Sequence, residues 1–312
     1  MTTPRPLNAA VWFAIGAAGA IVGLLPWLMT GARLPLQNLG AGSVGDMPLA
    51  LLPFSQYYLT SIVALLVVGS AVVGIAGRAL ADRRPRHGTL ALAAGVLAVQ
   101  LIAAVQATLV TRSLLESSSR AALYTAAIVA VIVVSLLVGT LVLLLIARAP
   151  VPGATIGLSL AALVSATWIG IAFRDLLLLA PYEVSQPVLA VLRWMPAVLV
   201  GAAIAWGGLR TWGRVAASVV SLAALWIGPA FFTAVANAAG TRVLAAYPAE
   251  MAEFGVGVFF QALTIPEVVL PPLVVAAAIG VAGAAAGALW RRRRSAANAP
   301  AAPAAAGDLG AL

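Results

Sequence analysis

Eight long apolar stretches, separated by short polar segments, follow one another along the chain from about Asn8 to Trp290. The chain is 63% hydrophobic, and only 9% of its residues are charged. A soluble domain of 312 residues cannot bury so much apolar surface, whereas a bilayer accommodates one stretch of about 20 residues per crossing. The sequence therefore predicts an all-α fold, a polytopic transmembrane helix bundle of about eight spans.

The predicted spans form a single transmembrane domain over residues 1–294. They cover residues 8–29, 56–79, 88–111, 122–147, 154–179, 194–209, 215–239 and 267–290. The start of the sixth span is open, because residues 187–192 are also apolar. Residues 295–312 are rich in Ala and Pro and hold almost no bulky apolar side chain, which predicts a disordered cytoplasmic tail.

The arginines predict the orientation of the bundle. All 18 cationic side chains are arginine, since the chain contains no lysine, and this is typical of a GC-rich bacterial genome. If the N-terminus is cytoplasmic, most of them fall in inside segments, namely Arg5, Arg78, Arg83, Arg84, Arg86, Arg148, Arg210, Arg214 and Arg291–Arg294. The positive-inside rule then places both termini in the cytoplasm and the longer loops outside. We expect a multi-pass protein of the bacterial plasma membrane.

Two outside connections are long, and they differ in character. Residues 30–55 contain Pro35, Pro48 and Pro53 around a Gly-rich centre, which predicts an irregular loop. Residues 240–266 predict a helix before Gly255, followed by an apolar segment, Val256–Leu263. That segment either caps the bundle or re-enters the membrane. Irregular backbone at membrane depth is tolerated only where protein buries it or where it lines a cavity, so a re-entrant loop would indicate a site.

The sequence contains no recognisable catalytic chemistry. Without cysteine there is no disulfide, no thiolate nucleophile and no Cys-based metal site. No Walker A motif is present, so the chain has no energy-coupling domain of its own. The net charge of +9 lies beside apolar spans and therefore reports topology rather than nucleic-acid binding. We expect no catalytic residue, no cofactor, no metal ion and no nucleic-acid partner.

Charged residues approach the membrane most closely near the predicted outer ends of three spans. A charge at the bilayer centre costs roughly 2.5–3.5 kcal/mol, and the central thirds of the predicted spans carry none. The nearest set is Arg174, Asp175, Glu183, Arg193 and Glu267. Because neighbours in sequence do not share a helix face, Asp175 is predicted to pair with Arg193, and Arg174 with Glu183 or Glu267. This set is either an ion-pair cluster that ties the fifth span to its neighbours or a functional site.

Neutral polar side chains within the spans form a second candidate set: Gln100, Gln106, Ser165, Thr167 and Asn237. At about 100° per residue, the two glutamines are separated by roughly 240° around their helix and face different sides. Interhelical hydrogen bonds, worth roughly 0.6 kcal/mol each on average, are the simplest explanation for such side chains.

Two further patterns concern the surroundings of the bundle. The run Arg291, Arg292, Arg293 and Arg294 predicts either a plain anchor at the end of the last span or a site for anionic lipid headgroups. The spacings Gly19-xxx-Gly23, Gly153-xxx-Gly157 and Gly283-xxx-Gly287 predict close helix packing, either within one chain or in a homodimer.

Two classes of function follow from the sequence. The first is a permease-type or transport-related component, for a small-molecule substrate that the sequence does not identify. The alternative is a non-catalytic membrane subunit or scaffold of a larger envelope or membrane complex. A permease should contain a polar cavity open to the long loops, whereas a scaffold should have a solid interior and an apolar, small-residue stripe on an outer face. The expected partners are the lipid bilayer, further copies of the chain, or other membrane subunits.

Overall fold

The structure, a computed structural model, describes residues 7–35, 47–115, 117–241 and 243–297, without the side chains of residues 175, 245, 246, 292 and 295–297. Its α-helices are α1 Ala9–Met29, α2 Leu59–Ala79, α3 Gly88–Leu114, α4 Ser119–Arg148, α5 Val151–Ala172, α6 Arg174–Leu179, α7 Tyr182–Gly207, α8 Trp212–Gly240, α9 Pro248–Thr264 and α10 Pro266–Ala297. Short 3₁₀ helices cover Gln56–Tyr58, Ala81–Arg83 and Val243–Ala246. In the described part of the chain, 8 helices are long and apolar enough to span a membrane, which confirms the predicted fold class.

The helices begin and end at residues that suit those positions. The Asn8 side chain accepts a hydrogen bond from the Ala10 N–H, and the Ser118 side chain accepts one from the Ala121 N–H, so each caps the N-terminus of its helix. Proline stands in the first turns of α5 and α9, where its missing N–H costs nothing. Gly208 follows α7 with a φ of 69°, a conformation that stops a helix and favours glycine. These residues thus define where α1, α4, α5 and α9 begin and where α7 ends.

The first five long helices form the dense part of the bundle. Helix α2 is the most enclosed, since 61% of its apolar 18-residue stretch is buried. It packs on α1, α4 and α5. Helix α1 also packs on α3. Helices α7 and α8 both pack on α5, α10 packs on α7, and α9 packs on α8. Only 22% of the corresponding stretch of α8 and 11% of the corresponding stretch of α10 are buried. The second half of the chain therefore forms a looser, peripheral group.

The two ends of the bundle differ in the residues that they carry. Helices α1, α3, α5 and α8 begin at the basic end, where most of the arginines lie. The opposite end, which carries residues 30–35 and 47–55 and the described connection between α8 and α9, is the loop end. The positive-inside prediction places the basic end in the cytoplasm, and that orientation stays a prediction.

Glycine permits the closest helix contacts, as its spacing predicts. A β-carbon built on Gly23 would lie 2.5 Å from the Gly69 α-carbon, so α1 and α2 touch backbone to backbone there. Gly157 meets Ile146 of α4, and Gly283 meets Ala205 of α7. Gly23, Gly157 and Gly283 thus serve packing inside one chain, whereas Gly287 meets only Arg291 of its own helix.

The structure differs from the predicted spans around the fifth and sixth crossings. Helix α5 ends at Ala172 rather than Leu179, because Phe173 interrupts it, and α6 is a separate short helix. Helix α7 begins at Tyr182, well before the predicted start at residue 194. Its first turns carry polar side chains and a proline, which lowered the local hydropathy, but they continue the same helix.

The last two helices also differ from prediction. Helix α9 runs through Gly255 without a break, where the sequence predicted an end. Helix α10 continues to Ala297, into the first residues of the predicted tail. The remainder of that tail, residues 298–312, lies outside the described residues.

The described flanks of residues 30–55 are packed into the loop end. Ala32, Leu34, Ala50, Leu52 and Phe54 are all at most 3% exposed and join the apolar cluster formed by α1, α2, α3 and α4. The flanks pair with each other, since the Leu34 N–H donates to the Pro48 carbonyl at 2.9 Å and the Ala50 N–H to the Ala32 carbonyl at 2.7 Å. This connection therefore closes the bundle. Its centre, residues 36–46, lies outside the described residues.

Candidate functional site

Arg174 is the best-defined member of the predicted charged set and lies near the loop end. The Arg174 Nη1 donates a hydrogen bond of 3.1 Å to the Tyr58 hydroxyl, and its guanidinium carbon lies 5.8 Å from the centre of the Tyr58 ring. The Tyr58 ring packs at 6.3 Å on Trp27. The Trp27 indole donates to the Ala50 carbonyl at 2.8 Å. Arg174 thus joins the start of α6 to the aromatic cluster beneath residues 30–55.

Among the described side chains of this set, no hydrogen bond or ion pair joins Glu183, Arg193 or Glu267 to Arg174. Glu183 and Glu267 are exposed in the first turns of α7 and α10, and no ion pair joins either of them to Arg174. A carboxylate in the first turn of a helix is stabilised by the helix dipole. This stabilisation explains the positions of Glu183 and Glu267 without an ion pair. Arg193 lies over the ring of its neighbour Trp194, at 5.6 Å. Because the side chain of Asp175 is outside the described residues, its pairing with Arg193 stays a prediction.

The two glutamines of α3 have separate tasks, as their angular separation predicts. Gln106 holds residues 47–55, since its amide nitrogen donates to the Leu49 carbonyl at 2.8 Å and its amide oxygen accepts from the Leu51 N–H at 2.9 Å. Gln106 therefore pairs with this segment as a neighbouring strand would.

Gln100 lies inside the bundle and is only 1% exposed. Its amide nitrogen donates to the Leu66 carbonyl of α2 at 2.8 Å and to the Ser70 hydroxyl at 3.4 Å. Gly139 of α4 faces the same hydroxyl, because a β-carbon built on it would lie 2.7 Å from the Ser70 Oγ. Gln100, Ser70 and Gly139 thus form a polar contact between three helices.

The other neutral polar residues predicted as candidates make local contacts. The Ser165 hydroxyl donates to the Ala162 carbonyl at 2.6 Å, and the Asn237 amide donates to the Thr233 carbonyl at 2.8 Å. Thr167 is half-buried on α5. Hydrogen bonds to a residue's own helix are the usual way for hydroxyl groups to be satisfied within a span.

The predicted lipid-headgroup run is exposed at the end of α10. Arg291, Arg293 and Arg294 are exposed, and the Arg294 guanidinium lies 3.8 Å from the centre of the Trp290 ring. The side chain of Arg292 is outside the described residues. Such stacking at the end of a span suits an anchor at the membrane surface.

Two buried serines were missed by the sequence reasoning. Ser159 of α5 and Ser221 of α8 are both 0% exposed, and in the described part of the chain neither hydroxyl has a hydrogen-bond partner. The two helices pack in parallel, with Pro152 against Gly213 near the basic end and Leu163 against Gly228 farther along. This register places the two serines at the same level of the α5–α8 interface. Only the packing of α5 on α8 could have shown it.

Helix α9 turns back along α8. Gly255 lies against Ala238, near the loop end of α8. The Leu263 carbonyl, in the last turn of α9, accepts a hydrogen bond of 3.1 Å from the Trp226 indole. Trp226 stands midway between Trp212 and Gly240, the two ends of α8. The α9–α10 corner therefore packs against the side of α8 rather than across the end of the bundle, and the re-entrant interpretation stays a prediction.

One open depression lies at the loop end, where α3 turns into α4. It has a volume of about 420 Å³ and is lined by Arg112, Leu115, Ser117, Ser118, Ser119, Ala121, Ala122 and Thr125. It lies beside the α3–α4 turn, away from α5 and α8. Among the described residues, no group of three or more His, Asp or Glu side chains is placed to hold a metal ion.

Taken with its eight apolar spans, this arrangement defines the chain as an integral, multi-pass membrane protein of helical-bundle type. No protein-family model matches the chain, and neither a curated protein nor a solved structure does.

Proposed function

We propose that this protein is a non-catalytic membrane subunit or scaffold that is covered by another protein chain along α9 and α10. The observation that carries the proposal is the α9–α10 corner. Ile265, at this corner, has non-helical backbone angles and is 38% exposed, at the level of the middle of α8. Irregular backbone on the side of a membrane bundle is tolerated best where protein covers it. A partner over the corner would bury this exposed break between the two helices.

The exposed face of α10 supports the same proposal. Ala278, Ala282 and Ala286 recur at every fourth position of that helix, and all three are exposed. Small residues at this spacing allow another helix to approach closely and gain van der Waals contact within the bilayer. The glycines of the predicted spacings mostly face other helices of the same chain, so they leave this alanine stripe as the small-residue face for a partner.

The filled centre of the bundle also favours a scaffold. Ile62, Leu65, Leu66, Leu143 and Ile146 are at most 1% exposed and occupy the space between α2 and its neighbours. Residues 47–55 then close the loop end above them. These features match what a scaffold requires.

Photo-crosslinking from the corner tests the proposal. A photoreactive amino acid is placed at Ile265, and a control is placed at Val219, which is 61% exposed on α8. In native membranes we expect the Ile265 probe to capture one protein at near-stoichiometric yield and the Val219 probe to capture lipid. Mass spectrometry of the protein purified at native abundance identifies the partner. Capture of lipid alone from both positions, with the protein purifying by itself, would reject the proposal.

A permease is the second candidate, and Ser159 with Ser221 is the observation that favours it. Two buried hydroxyls without partners at one level of the α5–α8 interface offer donors and acceptors to a small polar solute. If solutes pass there, Ser159→Ala lowers flux in proteoliposomes. If the interface is dry, the same variant is more stable, because an unpaired buried hydroxyl costs about 1–3 kcal/mol. Ser165→Ala is the control, since its hydroxyl bonds to its own helix.

A further inference from the structure

Three arginines meet at the basic end, around the end of α4. Arg78 Nη1 donates to the carbonyls of Ile146 at 2.8 Å and Ala149 at 3.0 Å. Arg84 Nη2 donates to the carbonyl of Ala147 at 2.9 Å and to that of Gly77, in the last turn of α2, at 2.6 Å. The carbonyls at the end of a helix have no partner within it, so these bonds fix both guanidinium groups in place. The third arginine is Arg148, the last residue of α4.

Aromatic rings hold the same two guanidinium groups from the side. The Arg78 guanidinium carbon lies 5.2 Å from the centre of the Trp206 ring, and that of Arg84 lies 5.8 Å from the centre of the Trp12 ring. Cations at this distance from a ring face are attracted to it. Because Trp12 is fully buried, it cannot move aside, and the positions of these charges are set before any ligand arrives.

The charges in this cluster are not balanced by an acid in the described part of the chain. Arg148 is exposed and makes no hydrogen bond or ion pair there. Asp82, on the connection between α2 and α3, is exposed and makes no ion pair. Burial, followed by the positive charges of Arg148 and Arg78, lowers the pKa of the Arg84 guanidinium, so the three arginines act on one another as like charges.

The cluster also contains buried donors that nothing accepts from. The Arg84 Nε and the Trp12 Nε1 are both buried, and within the described residues neither has a hydrogen-bond partner. Both are donors only, so what they lack is an acceptor. Both nitrogens are enclosed by protein, so a ligand arriving from outside does not reach them. Capping the end of α4 explains the Arg78 and Arg84 Nη atoms that bond to carbonyls, but not the exposed guanidinium of Arg148.

We propose that the guanidinium groups of Arg78, Arg84 and Arg148 bind a phosphate group at the basic end. Phosphate is the chemical match, because its oxygens accept several charge-assisted hydrogen bonds at once and the planar guanidinium suits that geometry. A neutral ligand would leave the mutual repulsion in place. The cluster lies at the ends of α2 and α4, where a span meets the aqueous phase, so the headgroup of a phospholipid with net negative charge and a free phosphate ion carry the same chemistry to it.

Nearby arginines provide matched controls. Arg83 and Arg86 lie on the same connection as Arg84, but both are exposed and neither makes a described contact with α4. General attraction between a basic surface and anionic lipid would depend on them as much as on the cluster. Binding at the proposed phosphate site would not depend on Arg83 or Arg86.

The test uses the full-length protein in nanodiscs of phosphatidylcholine, with or without phosphatidylglycerol, and measures bound lipid by native mass spectrometry and thermal stability. We expect phosphatidylglycerol to bind the wild-type protein and to raise its Tm. Arg148→Gln should weaken that binding about tenfold without unfolding the protein, because the side chain is exposed. Arg148→Lys should keep part of the effect, and Arg83→Gln and Arg86→Gln should leave it unchanged.

A second arm distinguishes the two sources of phosphate. Inorganic phosphate is added to the protein in phosphatidylcholine nanodiscs that contain no anionic lipid. A rise in Tm that disappears in Arg148→Gln but not in Arg83→Gln assigns the site to free phosphate, and a rise with phosphatidylglycerol alone assigns it to a lipid headgroup. Equal losses for Arg148→Gln and the two control variants, or no stabilisation by either phosphate source, would overturn the proposal.

Discussion

The indole N–H of Trp226, at the middle of α8, donates a hydrogen bond of 3.1 Å to the carbonyl of Leu263, at the end of α9. The last carbonyls of a helix have no partner within it, and inside a membrane no water replaces one. Trp226 supplies such a donor to the Leu263 carbonyl. This bond therefore holds the end of α9 against a transmembrane helix, and Gly255 makes the approach possible by lying against Ala238.

Replacing Trp226 by phenylalanine should release the α9–α10 corner. The variant keeps most of the apolar surface and removes only the donor, worth about 1 kcal/mol. Since the chain contains no cysteine, Ile265→Cys gives a single labelling site. We expect that cysteine to react with a maleimide several times faster in the Trp226→Phe background, measured on the purified protein in detergent.

The control for this experiment is Trp212→Phe, because Trp212 is 90% exposed at the start of α8. It should leave the labelling rate of Ile265→Cys unchanged. Equal acceleration by the two tryptophan variants would mean that Trp226 does not hold the corner.

The contact between Gly139 and Ser70 predicts a rescue. Gly139→Ala should destabilise the bundle by about 1–3 kcal/mol, because the new methyl group would lie 2.7 Å from the Ser70 Oγ. Ser70→Ala removes that oxygen, so the double variant should recover most of the loss. The coupling energy comes from thermal unfolding of the two single variants and the double variant. Strictly additive effects would contradict the contact.

Gln106 should be more important for stability than its half-buried position suggests. Gln106→Leu leaves the Leu51 N–H and the Leu49 carbonyl without their partner, and we expect a loss of about 1–3 kcal/mol in the free energy of unfolding. The matched control is Gln261→Leu on α9, where the glutamine is exposed and its side chain makes no described hydrogen bond. Similar Tm values for the two variants would exclude the proposed role of Gln106.

The fold was predictable because the bilayer imposes a simple length rule. Apolar length alone identified all eight spans, and the angular separation of Gln100 and Gln106 correctly gave them different partners. The start of α7 was not predictable from hydropathy, since Glu183 and its polar neighbours stand in the first turns of an otherwise apolar helix. Hydropathy measures the free energy of transferring a side chain to lipid, whereas a helix continues as long as its backbone hydrogen bonds continue.

The candidate sites were harder to predict than the fold. Charge pairing led us to expect Glu183 or Glu267 as the partner of Arg174. In the structure, Arg174 donates a hydrogen bond to the Tyr58 hydroxyl, from a distant part of the chain. The meeting of Arg78 and Arg84 at the end of α4 depends on which helix ends coincide, and that is a property of packing. Sequence spacing indicates which residues share a helix face, but not which helices meet.

The orientation of the bundle is the remaining prediction, and two exposed positions test it. Tyr247, between α8 and α9, is 57% exposed at the loop end, and Trp212 is 90% exposed at the basic end. We expect an impermeant maleimide to label Tyr247→Cys in intact cells and Trp212→Cys only after permeabilisation, because most of the arginines flank the basic end. The reverse pattern would invert the topology and place Arg78, Arg84 and Arg148 outside, where cytoplasmic phosphate and inner-leaflet lipid cannot reach them.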